Sequence, residues 1–330
     1  MKDAPLVSIV VPTYNRAHII LETLESVKLQ SYQNWECLVI DDGSSDHTEK
    51  LLQGYIDSDS RFKYLVRPSN FAAGGNGARN YGFEKSKGVL LQWLDSDDLL
   101  KPSKIKKQVA QFVKNENLVL SLCGVLIFSE TEVYSKKNSH IPNNNLFEAY
   151  ASKESSIGTN QPLWKKEFLE NKKLYDEEII RGQDYDFFVR MFSSNDLKYK
   201  VVHEDLVLVR TSGTNRITKK FKQGAGTIDI RSYLIGYKRA YKIMSQKENE
   251  EYYVKLSNLI IKKLTKILWG KNFEIVIETL KFLKMNCYQD KVIYKSHFTK
   301  AILIIKILKL TKLKGYSILK DKLQLDEISN

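Results

Sequence analysis

The sequence predicts an α/β fold in which a mostly parallel central sheet is followed by a basic, helical C-terminal region. One observation is that the first hundred residues alternate short apolar runs with segments of helical period. Such alternation is typical of parallel strands joined by right-handed helical crossovers. The other is the charge: residues 1–214 hold 27 Lys and Arg against 29 Asp and Glu, a balance of −2, whereas residues 215–330 hold 25 against 10, a balance of +15. This asymmetry predicts a boundary near residue 215.

The first half of the sheet is predicted from four short, mostly apolar runs, of which the first is continuous and rich in β-branched residues, as a buried parallel strand should be. These runs are Leu6–Pro12, Trp35–Asp41, Phe62–Pro68 and Val89–Asp95. Between them, apolar residues three and four positions apart predict amphipathic helices. These helices cover His18–Gln30, Ser44–Ile56 and Gly77–Gly88. Asp46 is the expected N-cap of the second helix, with Glu49 three residues later.

Residues 101–214 show a looser pattern, and fewer elements can be predicted there. The expected elements are a helix at Ser103–Lys114, a strand at Leu118–Phe128, a helix at Arg181–Phe192 and a strand at Val201–Arg210. From about residue 216 the chain is rich in Lys, Ile and Leu and contains no Pro, which predicts helices.

Polar clusters follow three of the predicted strands: "TYNR" after the first, "DDGS" after the second and "DSDD" after the fourth. Ligands of parallel α/β sheets bind beyond the carboxyl ends of the strands. Because these ends share one edge of the sheet, the clusters predict a single ligand site.

The "DSDD" cluster places Asp95, Asp97 and Asp98 directly behind an apolar strand. A single Asp there would usually cap a turn. Three carboxylates repel one another, and a divalent cation that also holds phosphate oxygens would offset the repulsion. A calcium EF-hand is excluded by the absence of its Gly and Glu positions. A phosphatase with an Asp nucleophile also has a strand followed by DxD, although its acids usually follow the first strand.

Three further groups are candidates for ligand binding or catalysis. The Asp41–Asp42 pair can accept hydrogen bonds from a nucleobase imide or from ribose hydroxyls, or it can simply cap a turn. Arg79 can grip a diphosphate or form a surface salt bridge. Asp184 or Asp186 can act as a general base, or cap a helix start.

Together the segments "SIVVPTYNR", "VIDDGSSDHT", "GARNYG", "LDSDD" and "GQDYDFFVR", in this order, resemble the family 2 inverting glycosyltransferases of the bacterial polysaccharide type. The resemblance covers roughly residues 5–215 and implies the GT-A fold. It implies a nucleotide-sugar-binding half at residues 1–100, an acceptor-binding half with the catalytic base at residues 101–215, and the basic helical region at residues 216–330.

The resemblance also implies roles for single residues at the donor nucleotide. The uracil and ribose would be bound by Pro12, Thr13 and Tyr14 together with Asp42. Arg79 would contact the diphosphate, and Asp95 would face the ribose. Asp41 would support the turn that carries Asp42.

For the chemistry, the resemblance implies Asp97 as the metal-binding acid, with Asp98 beside it, and Asp184 as the catalytic base. Gln183 stands where the family usually has Glu. Many relatives carry a His shortly after an Arg at the end of the acceptor half, and here Arg210 has no such His. Ser212 or Arg216 could contact phosphate instead.

The expected activity is transfer of a hexosyl or N-acetylhexosaminyl group from a nucleotide sugar, best a UDP-sugar. The acceptor would be a hydroxyl of a glycan or of a lipid-linked molecule in cell-surface polysaccharide synthesis, and the cofactor Mn²⁺ or Mg²⁺. One in-line displacement would invert the anomeric carbon. The alternatives are the Asp-nucleophile phosphatase and a non-enzymatic membrane-binding module, and no nucleic-acid partner is expected because recognition motifs are lacking.

The segment Ser296–Leu323 interleaves lysines with Ile and Leu. It is either a helix packed on the rest of the chain or a basic amphipathic helix on an anionic membrane surface. With no signal peptide, no apolar run of ~18 residues and three widely spaced cysteines, we expect a cytoplasmic protein with reduced thiols, peripheral at the inner face of the membrane at most.

Overall fold

The computed structural model describes residues 4–129, 132–135, 140–211, 227–269 and 272–311. The chain divides into two compact units. The first unit comprises Met1–Asn144, Ser156–Glu177 and Asn195–Arg216, and the second comprises Asn145–Ser155, Glu178–Ser194 and Ile217–Asn330. The predicted division at residues 100 and 215 concerns the role of each part, and it stays a prediction.

The described strands belong to one nine-stranded sheet in the first unit. They are β1 Val7–Thr13, β2 Trp35–Asp41, β3 Phe62–Val66, β4 Leu90–Trp93, β5 Leu99–Leu100, β6 Leu120–Phe128, β7 Val133–Ser135, β8 Leu163–Lys165 and β9 Tyr199–Arg210. Their order is β3-β2-β1-β4-β8-β6-β9-β5, with β7 paired to β6.

The described α-helices fall in both units. They are α1 Ile20–Lys28, α2 Thr48–Ile56, α3 Gly75–Lys85, α4 Lys104–Lys114, α5 Leu146–Ala151, α6 Lys166–Leu169, α7 Gln183–Phe192, α8 Thr227–Met244, α9 Glu250–Trp269, α10 Phe273–Met285 and α11 Val292–Thr311. Each predicted strand and helix of the first hundred residues is present, with ends that differ by a few residues.

Strands β3, β2, β1 and β4 are parallel, so their carboxyl ends share one edge of the sheet. All seven residues of β2 are buried, in keeping with a parallel strand covered on both faces. The short strand β8 pairs antiparallel with both β4 and β6 and so joins this half to the β6–β9 half. The core between sheet and helices is formed by apolar residues of β1, β2, α1 and α4.

In the second unit, α7 packs against α5 and α8, and α10 packs against α11. Aromatic rings fill the first of these contacts, where Tyr185 stacks on Tyr237 with the ring centroids 4.3 Å apart. Four residues of α11 form its buried stripe: Tyr294, Phe298, Ala301 and Ile305. The prediction of an α/β fold with a mostly parallel sheet and a helical C-terminal region is therefore confirmed.

None of the helices in the described ranges is both long enough and apolar enough to cross a membrane. Cys37, Cys123 and Cys287 are free and buried.

Candidate active site

The loops after β1 and β2 are tied together by hydrogen bonds. The Asp42 N–H donates to the Thr13 carbonyl (2.9 Å). Asn15, which has a left-handed backbone with φ 52°, accepts the Ser45 N–H through its Oδ1 (2.7 Å). The Asn15 N–H in turn donates to Ser44 Oγ (2.9 Å). The structure therefore brings the "TYNR" and "DDGS" segments together at the edge of the sheet.

Three residues at the end of β1 were predicted to contact the donor nucleotide. The Tyr14 ring is 54% exposed, whereas Thr13 is buried and Pro12 is half-buried. Within the described part of the chain, the buried Thr13 Oγ1 has no hydrogen-bond partner. A buried hydroxyl without a partner costs free energy, and a ligand group that bonds to it would recover that cost.

Asp41 is buried and its carboxylate holds the following turn. Its Oδ1 accepts the N–H groups of Gly43 (3.1 Å) and Ser44 (2.8 Å). Its Oδ2 accepts the hydroxyl of Tyr64 (2.5 Å), whose pKa is raised by burial and by this carboxylate. Gly43 has φ +90°, a conformation that a side chain would strain. These bonds hold the turn at residues 42–44, and a role of Asp41 in donor binding stays a prediction.

Asp42 forms an ion pair with Arg67, a residue that the sequence reasoning missed. The Arg67 guanidinium also donates to the carbonyls of Pro68 (3.1 Å) and Phe71 (2.5 Å). These bonds fix one edge of the Asp42 carboxylate. An Arg near the carboxyl end of the third predicted strand was the signal that could have identified it, because this strand ends at the same edge.

Arg79 and Asp95, which were predicted to contact the diphosphate and the ribose, form an ion pair. The Arg79 Nη2 is 2.8 Å from the Asp95 Oδ1. The guanidinium carbon also lies 5.1 Å from the centroid of the Tyr175 ring, which packs edge-on against Trp93. Helix α3 therefore presents Arg79 beside the carboxyl end of β4.

The two acids predicted to bind metal differ in their surroundings. The Asp97 side chain is 34% exposed, with its Oδ2 4.0 Å from the Arg16 Nη2. Asp98 is buried, and its two carboxylate oxygens accept the Asn160 Nδ2–H (2.5 Å) and the Arg210 N–H (2.8 Å). Burial, together with the charges of Asp95 and Asp97, raises the pKa of Asp98 well above its usual range. Asp98 fastens the turn, and Asp97 is the acid that faces solvent.

The carboxylate oxygens of Asp95 and Asp97 suit a divalent cation that is also coordinated by the phosphate oxygens of a bound ligand. In the described ranges, no group of three or more His, Cys, Asp or Glu side chains could hold a metal ion. Mg²⁺ and Mn²⁺ prefer oxygen ligands, and Mg²⁺ is commonly bound by one or two carboxylates plus phosphate oxygens and water. Asp97, with Asp95 two residues before it, supplies oxygens of this kind.

Asp184 belongs to the second unit, whereas the candidate site residues described above belong to the first. It lies half-buried in the first turn of α7, which begins after Gly182. The other acid of this segment, Asp186, is fully buried and paired with Arg190 (2.9 Å) and Arg239 (2.5 Å). Of the two acids left open by the sequence, Asp186 is therefore engaged in the interior of the unit.

Arg210 at the end of β9 braces the "DSDD" turn. Its Nε donates to the Asp97 carbonyl (3.2 Å), and its Nη2 lies 2.5 Å from the Glu22 Oε2. Ser212 and Arg216, which were proposed as substitutes for the missing His, lie outside the described residues.

Comparison with known proteins gives a family match and relatives of known class. Residues 8–193 match the model of glycosyl transferase family 2. The chain is 28% identical to a glycosyltransferase of Rickettsia conorii over 91% of its own length, but it spans only 48% of that relative. It is 43% identical over 114 residues to the UDP-Glc:alpha-D-GlcNAc-diphosphoundecaprenol beta-1,3-glucosyltransferase WfgD of Escherichia coli, covering 34% of this chain and 43% of WfgD.

Among solved structures, the fold is similar to that of S. aureus TarS 1–349 in complex with UDP-GlcNAc. The TM-score is 0.68 at 15% identity, over 96% of this chain and 90% of that one. The likeness shows the same GT-A architecture, as the motifs predicted. The family model covers more than half of the chain, and the chain therefore belongs to glycosyl transferase family 2.

Proposed function

We propose that this glycosyltransferase transfers a sugar from a UDP-sugar to a hydroxyl of a glycan or lipid-linked acceptor, with inversion and with Mn²⁺ or Mg²⁺ as cofactor. The pathway we infer is the synthesis of a cell-surface polysaccharide. One observation carries the proposal. The carboxyl ends of β1, β2 and β4 lie at one edge of the sheet. They bring together the exposed ring of Tyr14, the Asp41–Asp42 pair, and Asp95 and Asp97 with Arg79 beside them.

This edge suits the three parts of a nucleoside diphosphate. Tyr14 offers a ring face for the base, and Asp42 offers carboxylate oxygen for an imide N–H. Asp95 would accept ribose hydroxyls, and Arg79 carries the charge that matches a diphosphate. The supporting residues are rigid, because Asp41 and Arg67 each make several hydrogen bonds.

A divalent cation held by Asp97 would supply positive charge at the diphosphate leaving group, where negative charge develops. Asp184 would accept the proton of the acceptor hydroxyl as this oxygen attacks the anomeric carbon from the face opposite the leaving group. The sugar–phosphate bond breaks in the same displacement, and the configuration inverts without a covalent intermediate on the enzyme.

The names of the relatives support the donor and acceptor classes. WfgD is named for a UDP-Glc donor and a diphosphoundecaprenol-linked acceptor, and TarS was solved with UDP-GlcNAc. A hexosyl or N-acetylhexosaminyl group is accordingly our proposal for the transferred sugar. A lipid-linked acceptor would also be reached best by an enzyme bound peripherally to the inner face of the membrane, and we propose α11 as the element that binds there.

The direct experiment is a screen of nucleotide sugars with Mn²⁺ or Mg²⁺ that measures release of the nucleoside diphosphate. We expect release from a UDP-sugar, lost on chelation of the metal. Asp97→Ala should lower turnover by about 10²–10³-fold, as when one group that stabilises transition-state charge is removed. Asp57→Ala, which removes an exposed acid at the end of α2, is the matched control and should keep wild-type turnover.

Two outcomes would contradict the proposal. Absence of metal-dependent release with every nucleotide sugar, with and without lipid-linked or glycan acceptors, would remove its basis. Release of phosphate from simple phosphate esters without a sugar nucleotide would instead favour the phosphatase alternative.

A further inference from the structure

A buried polar network lies behind the edge of the sheet that carries the candidate site. Lys104 at the start of α4 is completely buried, and its Nζ donates to the side-chain oxygens of Gln92 in β4 and of Gln108 (2.7 Å) in α4. Both acceptors are neutral amides, and burial lowers the pKa of Lys104 to about 8. Burying an ammonium group is costly, so the position of this one needs an explanation.

Lys104 determines which way the two amides face. A lysine can only donate hydrogen bonds, so both amide oxygens must face it and both NH₂ groups must face away. The Gln92 Nε2 donates to the Asn160 carbonyl (3.0 Å), and the Gln108 Nε2 donates to the Gln161 carbonyl (3.0 Å). The network therefore holds the backbone of residues 160 and 161, just before β8.

The Asn160 side chain in turn spans the "DSDD" turn. Its Oδ1 accepts the Asp95 N–H (2.7 Å), and its Nδ2 donates to the Asp98 Oδ2 (2.5 Å). A backbone N–H can only donate, so the amide cannot flip without losing this bond. Asp97 lies in the chain between the two anchor points. Any shift of Asn160 would therefore be transmitted to the backbone that carries Asp97.

We propose that Asn160 is a positioning residue for the cation–diphosphate site, and that the Lys104 network fixes Asn160 in place. The inference rests on the proposed function, since it assigns to Asp97 the cation of the donor complex. Residues that orient metal ligands through hydrogen bonds typically affect metal affinity by 10–100-fold when removed. A role confined to folding would lower stability without changing that affinity.

The test measures Mn²⁺ binding to the full chain in the presence of UDP, by the loss of the free Mn²⁺ signal in electron paramagnetic resonance. For Asn160→Ala we expect a rise of about 10–100-fold in the Mn²⁺ dissociation constant. UDP binding without metal, measured by calorimetry, should weaken much less than Mn²⁺ binding, because Tyr14 and Asp42 are untouched and Asp95 is the proposed nucleotide contact that bonds to Asn160.

The matched control is Glu36→Ala. Glu36 is also buried, and it accepts hydrogen bonds from Ser8 Oγ (2.7 Å), Lys63 Nζ (2.7 Å) and the Lys87 N–H (2.6 Å). It lies at the amino end of β2, whereas the candidate site lies at the carboxyl ends of the strands. Its removal should lower stability but leave the Mn²⁺ dissociation constant at the wild-type value.

A second variant tests the network behind Asn160. Lys104→Met should weaken Mn²⁺ binding, and the double variant with Asn160→Ala should be little weaker than Asn160→Ala alone, because both act through one chain of contacts. If Asn160→Ala fails to fold, Gln92→Met, which removes the bond to the Asn160 carbonyl, takes its place with the same expected direction.

Wild-type Mn²⁺ affinity in Asn160→Ala, or an equal loss in Glu36→Ala, would overturn the positioning role while leaving the proposed function intact. Failure of the wild-type protein to bind Mn²⁺ with UDP would instead overturn the metal assignment and this inference with it.

Discussion

At the scale of single residues, the acidic side chains of this protein differ in role because their surroundings differ. Asp41, Asp98 and Asp186 are buried, and their oxygens are engaged by hydrogen bonds or by arginines. Asp95 and Asp97 have side chains that are 34% exposed at the edge of the sheet. The motifs identified all five positions, but the spacing could not separate the supporting acids from those facing solvent, because the supporting partners come from distant segments.

Asn160 and Arg67 show why part of the site was missed. Asn160 bonds to residues 62 and 65 positions earlier in the chain, and Arg67 bonds to a residue 25 positions earlier. Neither sits in a motif whose spacing indicates chemistry. Their importance follows from burial and from fixed hydrogen-bond polarity, which only the folded chain reveals.

The two acids of α7 give a prediction that separates catalysis from stability. Asp184→Asn should lower turnover by about 10²–10⁴-fold, the usual contribution of a general base. Asp186→Asn should instead destabilise by about 1–3 kcal/mol, because the buried carboxylate that accepts from Arg190 and Arg239 is replaced by a neutral amide. Turnover with saturating donor and urea unfolding of both variants provide the measurements.

Each variant is the control for the other, since both change one carboxylate to an amide in the same helix. Wild-type turnover in Asp184→Asn would exclude it as the base. A reduced turnover in Asp186→Asn that persists where the variant is fully folded would assign that acid a part in the chemistry.

At the scale of elements, the sequence predicted the long strands and helices well and missed the short ones. Mostly apolar runs such as β2 and amphipathic periods such as α4 are long enough to be recognised in the sequence. β8 has three residues and α6 has four, so neither displays a period. Yet β8 joins the halves of the sheet, and the segment before it carries Asn160.

The start of α3 shows a packing constraint that predicts opposite effects for two Gly→Ala changes. A Cβ at Gly77 would lie 2.0 Å from the Ala72 carbonyl oxygen, whereas a Cβ at Gly54 in α2 meets no atom within 4 Å. We expect Gly77→Ala to destabilise by about 1–3 kcal/mol, as overpacking does. Gly54→Ala should stabilise by about 0.5–1 kcal/mol, because the unfolded chain loses freedom and the helix gains propensity.

Urea unfolding of the two variants is the measurement, with the change in midpoint compared at equal slope. A stability equal to wild type for Gly77→Ala would mean that the loop before α3 moves without cost. In that case the contact between Gly77 and Ala72 would not fix the position of Arg79, two residues further along the helix.

At the scale of the whole molecule, the positive charge balance belongs to residues 215–330, a stretch whose described part consists mainly of helices. The first unit contains the residues proposed to bind the donor, and the second contains Asp184 and the lysine-rich helices. The order of motifs was enough to predict the family and the fold. The transferred sugar, the acceptor and the linkage depend on the shape of the binding site, which the spacing of motifs does not encode, so the sequence does not predict them.

Helix α11 has features both of a helix packed on the rest of the chain and of a basic amphipathic helix on an anionic membrane surface. Its stripe Tyr294, Phe298, Ala301 and Ile305 is buried. The outer face exposes Val292, Ile293, Leu303 and Ile307. Lys300 and Lys306 are also exposed and lie on either side of Leu303 along the helix. Apolar residues flanked by lysines are typical of a helix that rests on an anionic lipid surface.

Charge reversal of these two lysines tests the membrane interpretation with the fold kept intact. Each lysine near an anionic surface contributes about 1 kcal/mol, so Lys300→Glu/Lys306→Glu should weaken partition to phosphatidylserine vesicles by at least about 30-fold. Flotation of the full chain at 50 mM salt and at 500 mM salt measures this, because screening weakens the attraction. Lys50→Glu/Lys106→Glu changes the net charge equally at exposed sites of the first unit and should float like wild type.

Equal losses in both double variants would mean that total charge, rather than the face of α11, governs the attraction. Flotation of neither wild type nor variants would leave packing against α10 as the role of this helix.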